Sequence, residues 1–131
     1  MILKMKNPGF SGKTLAFDVY GTLIDTAGVG RLLETLISDQ AALFMNTWRL
    51  KQLEYSFRRG LMQNYVDFPT CTRQALDYTC DFLKAGISSE NRDKLMQAYT
   101  VLPAYTDVEN GLKKLKELKC RMFAFSNGRH D

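Results

Sequence analysis

The chain has 131 residues, of which 45% are hydrophobic and 24% charged, the balance of a folded globular protein and not of a disordered or fibrous one. Its formal charge of +4 comes from 18 Lys+Arg against 14 Asp+Glu, and a chain of this length buries roughly two-thirds of its unfolded surface, enough for one core. No apolar run reaches the roughly 18 residues of a membrane span, and the opening MILKMKNPGF lacks the apolar centre and small-residue cleavage site of a secretion signal.

The first expected element is a buried strand over Thr14 to Val19, TLAFDV, an apolar run set between Gly9 and Gly12 on one side and Gly21 on the other. From about Gly28 to Tyr99 the period changes to a helical one. Val29, Leu32, Leu33, Leu36 and Ile37 mark one face of a first helix. A second runs from near Gln40 to Leu61, with Phe44, Trp48, Tyr55 and Phe57 among its packing residues. Pro69 suits the first turn of a third, which Gly86 would end. Ser88 or Ser89 can cap a fourth, with Glu90 in its first turn and Pro103 at its end. Thr106 or Asp107 then opens a helix whose stripe is Val108, Leu112, Leu115 and Leu118, and Arg121 to Phe125 reads as a second buried strand.

The two strands are joined by a crossover that contains a helix, so parallel pairing is expected. Open parallel sheets bind ligands at the carboxyl ends of their strands. Asp18 ends the first strand and Ser126 with Asn127 the second, so polar groups gather where a site would sit.

The basic stretch KKLKELKCR, Lys113 to Arg121, has apolar residues at helical spacing and reads as the solvated face of an amphipathic helix in preference to a nucleic-acid patch. An anionic small molecule suits the charge equally well. The cysteines, Cys71, Cys80 and Cys120, are odd in number and form no CxxC or metal-ligand cluster. On one helix Cys71 and Cys80 would stand about 13 to 14 Å apart on opposite faces, beyond disulfide reach. A reducing cytoplasm is the expected home. His130, the single histidine, has no Ser or Cys partner motif.

The string Phe17-Asp18-Val19-Tyr20-Gly21-Thr22-Leu23 sets a carboxylate at a strand end, then a glycine able to turn tightly, then a hydroxyl able to hold the carboxylate. By residue type alone Asp18 is either a turn cap or a nucleophile. The whole string FDVYGTL resembles the first motif of the haloacid dehalogenase superfamily, and Ser126-Asn127-Gly128 resembles its second. Trp48 to Tyr55, WRLKQLEY, is similar to the segment characteristic of the L-2-haloacid dehalogenases, and Tyr65-Val66-Asp67-Phe68 also fits their pattern. Together these motifs extend the resemblance over nearly the whole chain.

The fold this resemblance implies is α/β: a Rossmannoid core with a parallel sheet, incomplete in these residues, and an inserted helical-bundle cap. Residues 1–27 and 104–131 would belong to the core and 28–103 to the cap. Phosphatases of the superfamily carry a second Asp two residues after the nucleophile, and here that position is Tyr20. A halide leaves without a proton whereas an alkoxide needs one, and loss of the second carboxylate weakens a magnesium site. The implied reaction is hydrolysis of short (S)-2-haloalkanoic acids to (R)-2-hydroxyalkanoic acids through an aspartyl ester, without metal or cofactor. A phosphatase of the same superfamily and a non-catalytic helical binding portion are the alternatives.

The resemblance assigns roles residue by residue. Asp18 attacks and Thr22 orients it. Arg49 and Asn127 stabilise the halide. Ser126, with backbone N–H groups around Val19 and Tyr20, holds the substrate carboxylate. Leu53 and Phe68 form an apolar wall, though each can equally be a packing residue, and Arg49 can be a surface ion-pair partner. Leu50 departs from the polar Gln common next to the arginine. The implied partners are a 2-haloacid and a second copy of the chain through the cap helices, with no nucleic acid and no membrane. The family's lysine, and an Asn and Asp near the hydrolytic water, lie past the second motif, so the 131 residues are expected to be a truncated portion with an incomplete site and poor stability.

Overall fold

In the computed structural model the described residues are 9 and 11–126. They fall into two compact units, one containing the described residues up to Asp25 together with Ala104–Ser126, the other Thr26–Pro103.

In the first unit, β1 (Thr14–Phe17) and β2 (Arg121–Ala124) pair in parallel, with Thr14 opposite Arg121 and Phe17 opposite Ala124. Parallel neighbours need a long crossover, and here it carries the whole helical unit and then α5 (Val108–Glu117). The half-buried residues of α5 are Val108, Leu112 and Leu115, while Lys113, Lys114 and Lys116 are exposed. The basic stretch is thus a solvated helix face, and Leu118, exposed, drops out of the expected stripe.

Two expectations for the strands need correction. The first strand stops at Phe17, because the carbonyl of Val19 accepts from the amides of Thr22, Leu23 and Ile24 at 3.3, 2.8 and 2.9 Å and turns the chain. The strands are also not buried: Thr14, Ala16, Arg121, Phe123 and Ala124 are exposed. A sheet of two strands with a single short helix has too little surface around it to cover both faces. Among the described residues of this unit only Cys120 is buried.

The helical unit holds α1 (Ala27–Ile37), α2 (Ala41–Leu61), α3 (Phe68–Phe82) and α4 (Ser89–Ala98). Its core joins Val29 and Leu33 of α1, Phe44 and Trp48 of α2, Leu76 of α3 and Leu95 of α4. The Trp48 ring meets Phe44 and Tyr99 edge-on, with centroids 6.2 and 5.2 Å away, the geometry that aromatic quadrupoles favour. Asp67 caps α3 by accepting from the Thr70 amide at 2.9 Å, and Pro69 occupies the first turn, where a missing N–H breaks no helical bond. Ser88 caps α4 through the Asn91 amide at 3.3 Å, with Glu90 in the first turn.

Here too some boundaries differ from expectation. Lys84, at φ 49°, takes the left-handed position after α3, and Gly86 is not the terminator. Short 3-10 turns, Ser38–Gln40 and Tyr99–Val101, stand before α2 and after α4, so α4 ends ahead of Pro103. Phe57 is 65% exposed. It lies nine residues past Trp48, which is half a turn round the helix from the packed face. Tyr55 does pack, edge-on to Tyr78 at 6.4 Å.

Between α3 and α4, Arg92 reaches Asp77 at 2.9 Å and the Ile87 carbonyl at 3.2 Å, and Arg73 reaches Asp93 at 2.5 Å. Cys71, Cys80 and Cys120 are free thiols. Burial pushes the Cys71 and Cys80 thiols up, which keeps them protonated and unreactive. No helix among the described residues is long and apolar enough to cross a membrane.

Candidate active site

The carboxyl ends of two in-register parallel strands open on the same sheet edge, and the chain leaves β1 there through Asp18. The turn that follows is dictated by its residues. Gly21 stands at φ 86°, a conformation that side chains resist, and its amide donates to the Ile24 carbonyl at 2.9 Å. That turn brings Thr22 back over the strand end, where its hydroxyl donates to Oδ2 of Asp18 at 3.0 Å. One carboxylate oxygen is thereby held while the side chain as a whole stays exposed. Val19 and Tyr20 are half-buried.

The second strand continues this edge. The Phe125 amide donates to the Phe17 carbonyl at 2.7 Å, one step past the last paired residues, and exposed Ser126 follows. Asn127, together with Gly128 and His130, lies outside the described residues. Where a second acid would stand two residues after Asp18 there is the phenol Tyr20. Among the described residues no group of three or more His, Cys, Asp or Glu side chains is gathered as metal ligands.

In the helical unit, Arg49 sits half-buried on α2 immediately after Trp48. Its Nη1 donates to Oε1 of Gln52 at 2.8 Å. Gln52 is fully buried, and its Nε2 donates to the Thr72 hydroxyl at 2.6 Å. The Thr72 hydroxyl in turn donates to the Phe68 carbonyl at 2.8 Å. Arg49 and Phe68 are therefore linked, but through the backbone of Phe68 and not its ring. The half-buried Phe68 ring lines an open groove of about 500 Å³ with Phe57, Leu61 and Tyr65. Leu53, also half-buried, follows Arg49 by one helical turn.

Asp18 is thus brought to Thr22 in one unit, and Arg49 is set in a hydrogen-bonded chain in the other. Gln52 and Thr72, which hold Arg49 through this hydrogen-bonded chain, are not singled out by the sequence. A signal for Gln52 was present: it continues the buried face Ala41, Phe44, Trp48 at helical spacing, and a carboxamide on such a face needs partners. Thr72 gave none, since a threonine on a helix commonly bonds its own preceding turn.

No family model matches the chain. It is 38% identical over 114 residues to an (S)-2-haloacid dehalogenase of Pseudomonas fluorescens, an overlap of 87% of this chain and 50% of that protein. An L-2-haloacid dehalogenase of known structure superposes with a TM-score of 0.87 at 29% identity, covering 91% of this chain and 54% of the other. The L-2-haloacid dehalogenase of Xanthobacter autotrophicus with chloropropionic acid covalently bound gives a TM-score of 0.81 at 35% identity, covering 92% and 48%. The chain spans about half the length of the relatives it matches.

Proposed function

Because the chain belongs to the L-2-haloacid dehalogenase family over the half-length that it spans, we propose that it supplies the nucleophile of a hydrolase that removes halide from short (S)-2-haloalkanoic acids. An Asp18 oxygen forms a bond to C2 as the carbon-halogen bond breaks from the opposite side, and halide departs with the bonding pair. Water then adds to the carbonyl carbon of the aspartyl ester. The alkoxide leaves, takes up a proton and becomes the (R)-2-hydroxy acid, and Asp18 is regenerated.

The observation that carries this reading is the Thr22 hydroxyl on Asp18 at 3.0 Å, combined with Tyr20 where a phosphatase needs its acid. One carboxylate oxygen is fixed by Thr22, which leaves the other to attack. The halide that leaves in the first step needs no acid, so Tyr20 is compatible with that step, whereas a phosphate ester would have to expel its alkoxide there without the acid that stands at this position in phosphatases. In the same reading Arg49 and Asn127 stabilise the departing halide. Ser126 and the amides beside Val19 and Tyr20 hold the substrate carboxylate, and Leu53 and Phe68 supply apolar wall. The reaction uses no metal or cofactor, and the protein is placed in the cytoplasm with no nucleic-acid partner.

The reading also includes a homodimer through the helical unit. What supports it is a row on α2 of exposed Leu43, Leu50, Phe57 and Leu61, whose spacing of seven, seven and four keeps them on one face. Solvent-facing apolar rows of this kind mark contact surfaces.

The test is halide release from (S)-2-chloropropionate. It uses the chain joined to the remaining length of the Xanthobacter autotrophicus relative, the region in which the family resemblance places the lysine. Halide release is expected from this protein, with Asp18→Asn lowering the rate by more than roughly a thousandfold. Equal release by Asp18→Asn at matched folding overturns the assignment. Turnover of p-nitrophenyl phosphate without dehalogenation would favour the phosphatase.

A further inference from the structure

The hydrogen-bonded chain behind Arg49 has only one possible direction. A guanidinium can only donate, so the Gln52 atom facing it at 2.8 Å is the carbonyl oxygen. The Gln52 NH2 then faces Thr72, whose hydroxyl must accept at 2.6 Å and so donates its own proton to the Phe68 carbonyl at 2.8 Å. Each link fixes the next. No buried side-chain nitrogen or oxygen among the described residues is left without a hydrogen bond. Gln52 is also fully enclosed, so its carboxamide has no freedom to turn away from Arg49.

The acceptor that Gln52 offers is neutral. Arg58 rests on Glu54 at 2.8 Å and Arg92 on Asp77 at 2.9 Å, whereas Arg59, like Arg49, meets a glutamine, Gln74 Oε1 at 2.8 Å, but in an exposed position where nothing encloses the carboxamide. Arg49 forms no ion pair among the described residues. A carboxylate in the place of Gln52 would hold the guanidinium as well but cancel its charge. A carboxamide holds the group and leaves the charge for an anion.

We propose that Gln52, locked from behind by Thr72, is a positioning residue that fixes the Arg49 guanidinium while keeping its positive charge unpaired for the departing halide. This rests on the reading of Arg49 as the halide's partner. Gln52 itself touches neither substrate nor halide. Its contribution is greatest for the poorer leaving group, because chloride depends more than bromide on stabilisation of developing charge.

The experiment compares kcat for 2-chloropropionate and 2-bromopropionate in the chain joined to the remaining length of the Xanthobacter autotrophicus relative. The variants are Gln52→Met, Gln52→Glu, Thr72→Val, Thr72→Ser and Arg49→Lys, with thermal melts as the check on folding. Gln52→Met keeps the side-chain volume, and the Thr72 hydroxyl still has the Phe68 carbonyl, so no buried group is orphaned. Its chloride release is expected to fall roughly tenfold or more, with a rise in the bromide-to-chloride ratio. Gln52→Glu should fall at least as far. Thr72→Val should follow Gln52→Met, and Thr72→Ser should restore the rate.

An unchanged rate in Gln52→Met, or equal losses on both substrates with an unchanged ratio, overturns the proposal, the second outcome meaning that Gln52 only supports the fold. If Gln52→Met does not fold, the Thr72→Val and Thr72→Ser pair decides on the same ratio. If Arg49→Lys keeps the parent rate on both substrates, the reading of Arg49 fails and the inference falls with it. If Arg49→Lys is impaired and Gln52→Met is not, the inference alone fails.

Discussion

The indole Nε1 of Trp48 donates to the main-chain oxygen of Thr72 at 2.9 Å, tying α2 to α3 at the same residue whose hydroxyl receives Gln52. The largest buried ring of the helical unit and the support of Arg49 therefore share one partner. Trp48→Ala removes both the bond and the ring, and is expected to destabilise the unit by about 3–5 kcal/mol. Trp48→Phe, which keeps most of the apolar surface, should cost about 1–2 kcal/mol. Urea unfolding followed by far-UV circular dichroism measures both.

Among the described residues four helices end on residues other than glycine at positive φ: Ser38 after α1 at φ 45°, Gln63 after α2 at φ 55°, Lys84 after α3 at φ 49° and Lys119 after α5 at φ 58°. Each side chain there is strained, and glycine carries no such penalty. Lys84→Gly is expected to stabilise the helical unit by about 0.5–1 kcal/mol after the entropy of the more flexible residue is offset. A raised urea midpoint at unchanged slope is the expected sign; a lowered midpoint contradicts the strain.

Leu50 is 58% exposed and Phe57 65% exposed on the same face of α2. Replacing either by Lys removes little buried surface, so the folding free energy should change by less than about 0.5 kcal/mol. If this row joins two copies, the double variant Leu50→Lys with Phe57→Lys should sediment as a monomer under conditions where the parent is a dimer. A dimer that survives both charges places the contact elsewhere.

Glu54 lies between Lys51 at 2.7 Å and Arg58 at 2.8 Å. The hydrogen bond from Lys51, with the Arg58 charge adding to it, holds the Glu54 carboxyl below its ordinary value of 4.5. A carboxyl whose folded value is depressed stabilises the fold above its unfolded value, and that stability is lost as pH falls through the folded one. The parent should therefore lose more stability than Glu54→Gln as pH is lowered below 4.5, and the two should run parallel between pH about 6 and 8. Urea midpoints across pH read the difference, which solvent screening keeps small.

Much of the architecture could be read from hydrophobic period and caps. The row Val29, Leu33, the cap Ser88 and the first-turn Pro69 all identify elements that the structure contains. What escaped was set by contacts distant in sequence. Phe57 is apolar at helical spacing, yet only the direction of the packed face decides that it points to solvent. Lys84 ended a helix where Gly86 was the expected stop, because packing around Ala85 and Ile87 fixes the turn and local propensity does not. At the site, the Asp18 and Thr22 pair was legible from its spacing of four residues. The Gln52 to Thr72 bond crosses 20 residues and two helices, and no local pattern carries it.

The central claim is that Asp18 itself forms the bond to carbon, and a single turnover in oxygen-18 water tests it directly. The chain joined to the remaining length of the Xanthobacter autotrophicus relative is used in excess over (S)-2-chloropropionate, and the lactate and the peptide containing Asp18 are weighed by mass spectrometry. If the hydroxyl oxygen of the product comes from Asp18 and water enters at the ester carbonyl, the first lactate is unlabelled and the label appears in Asp18. Label found in the first lactate, with none in the Asp18 peptide, means that water attacks C2 without a covalent intermediate and contradicts the account.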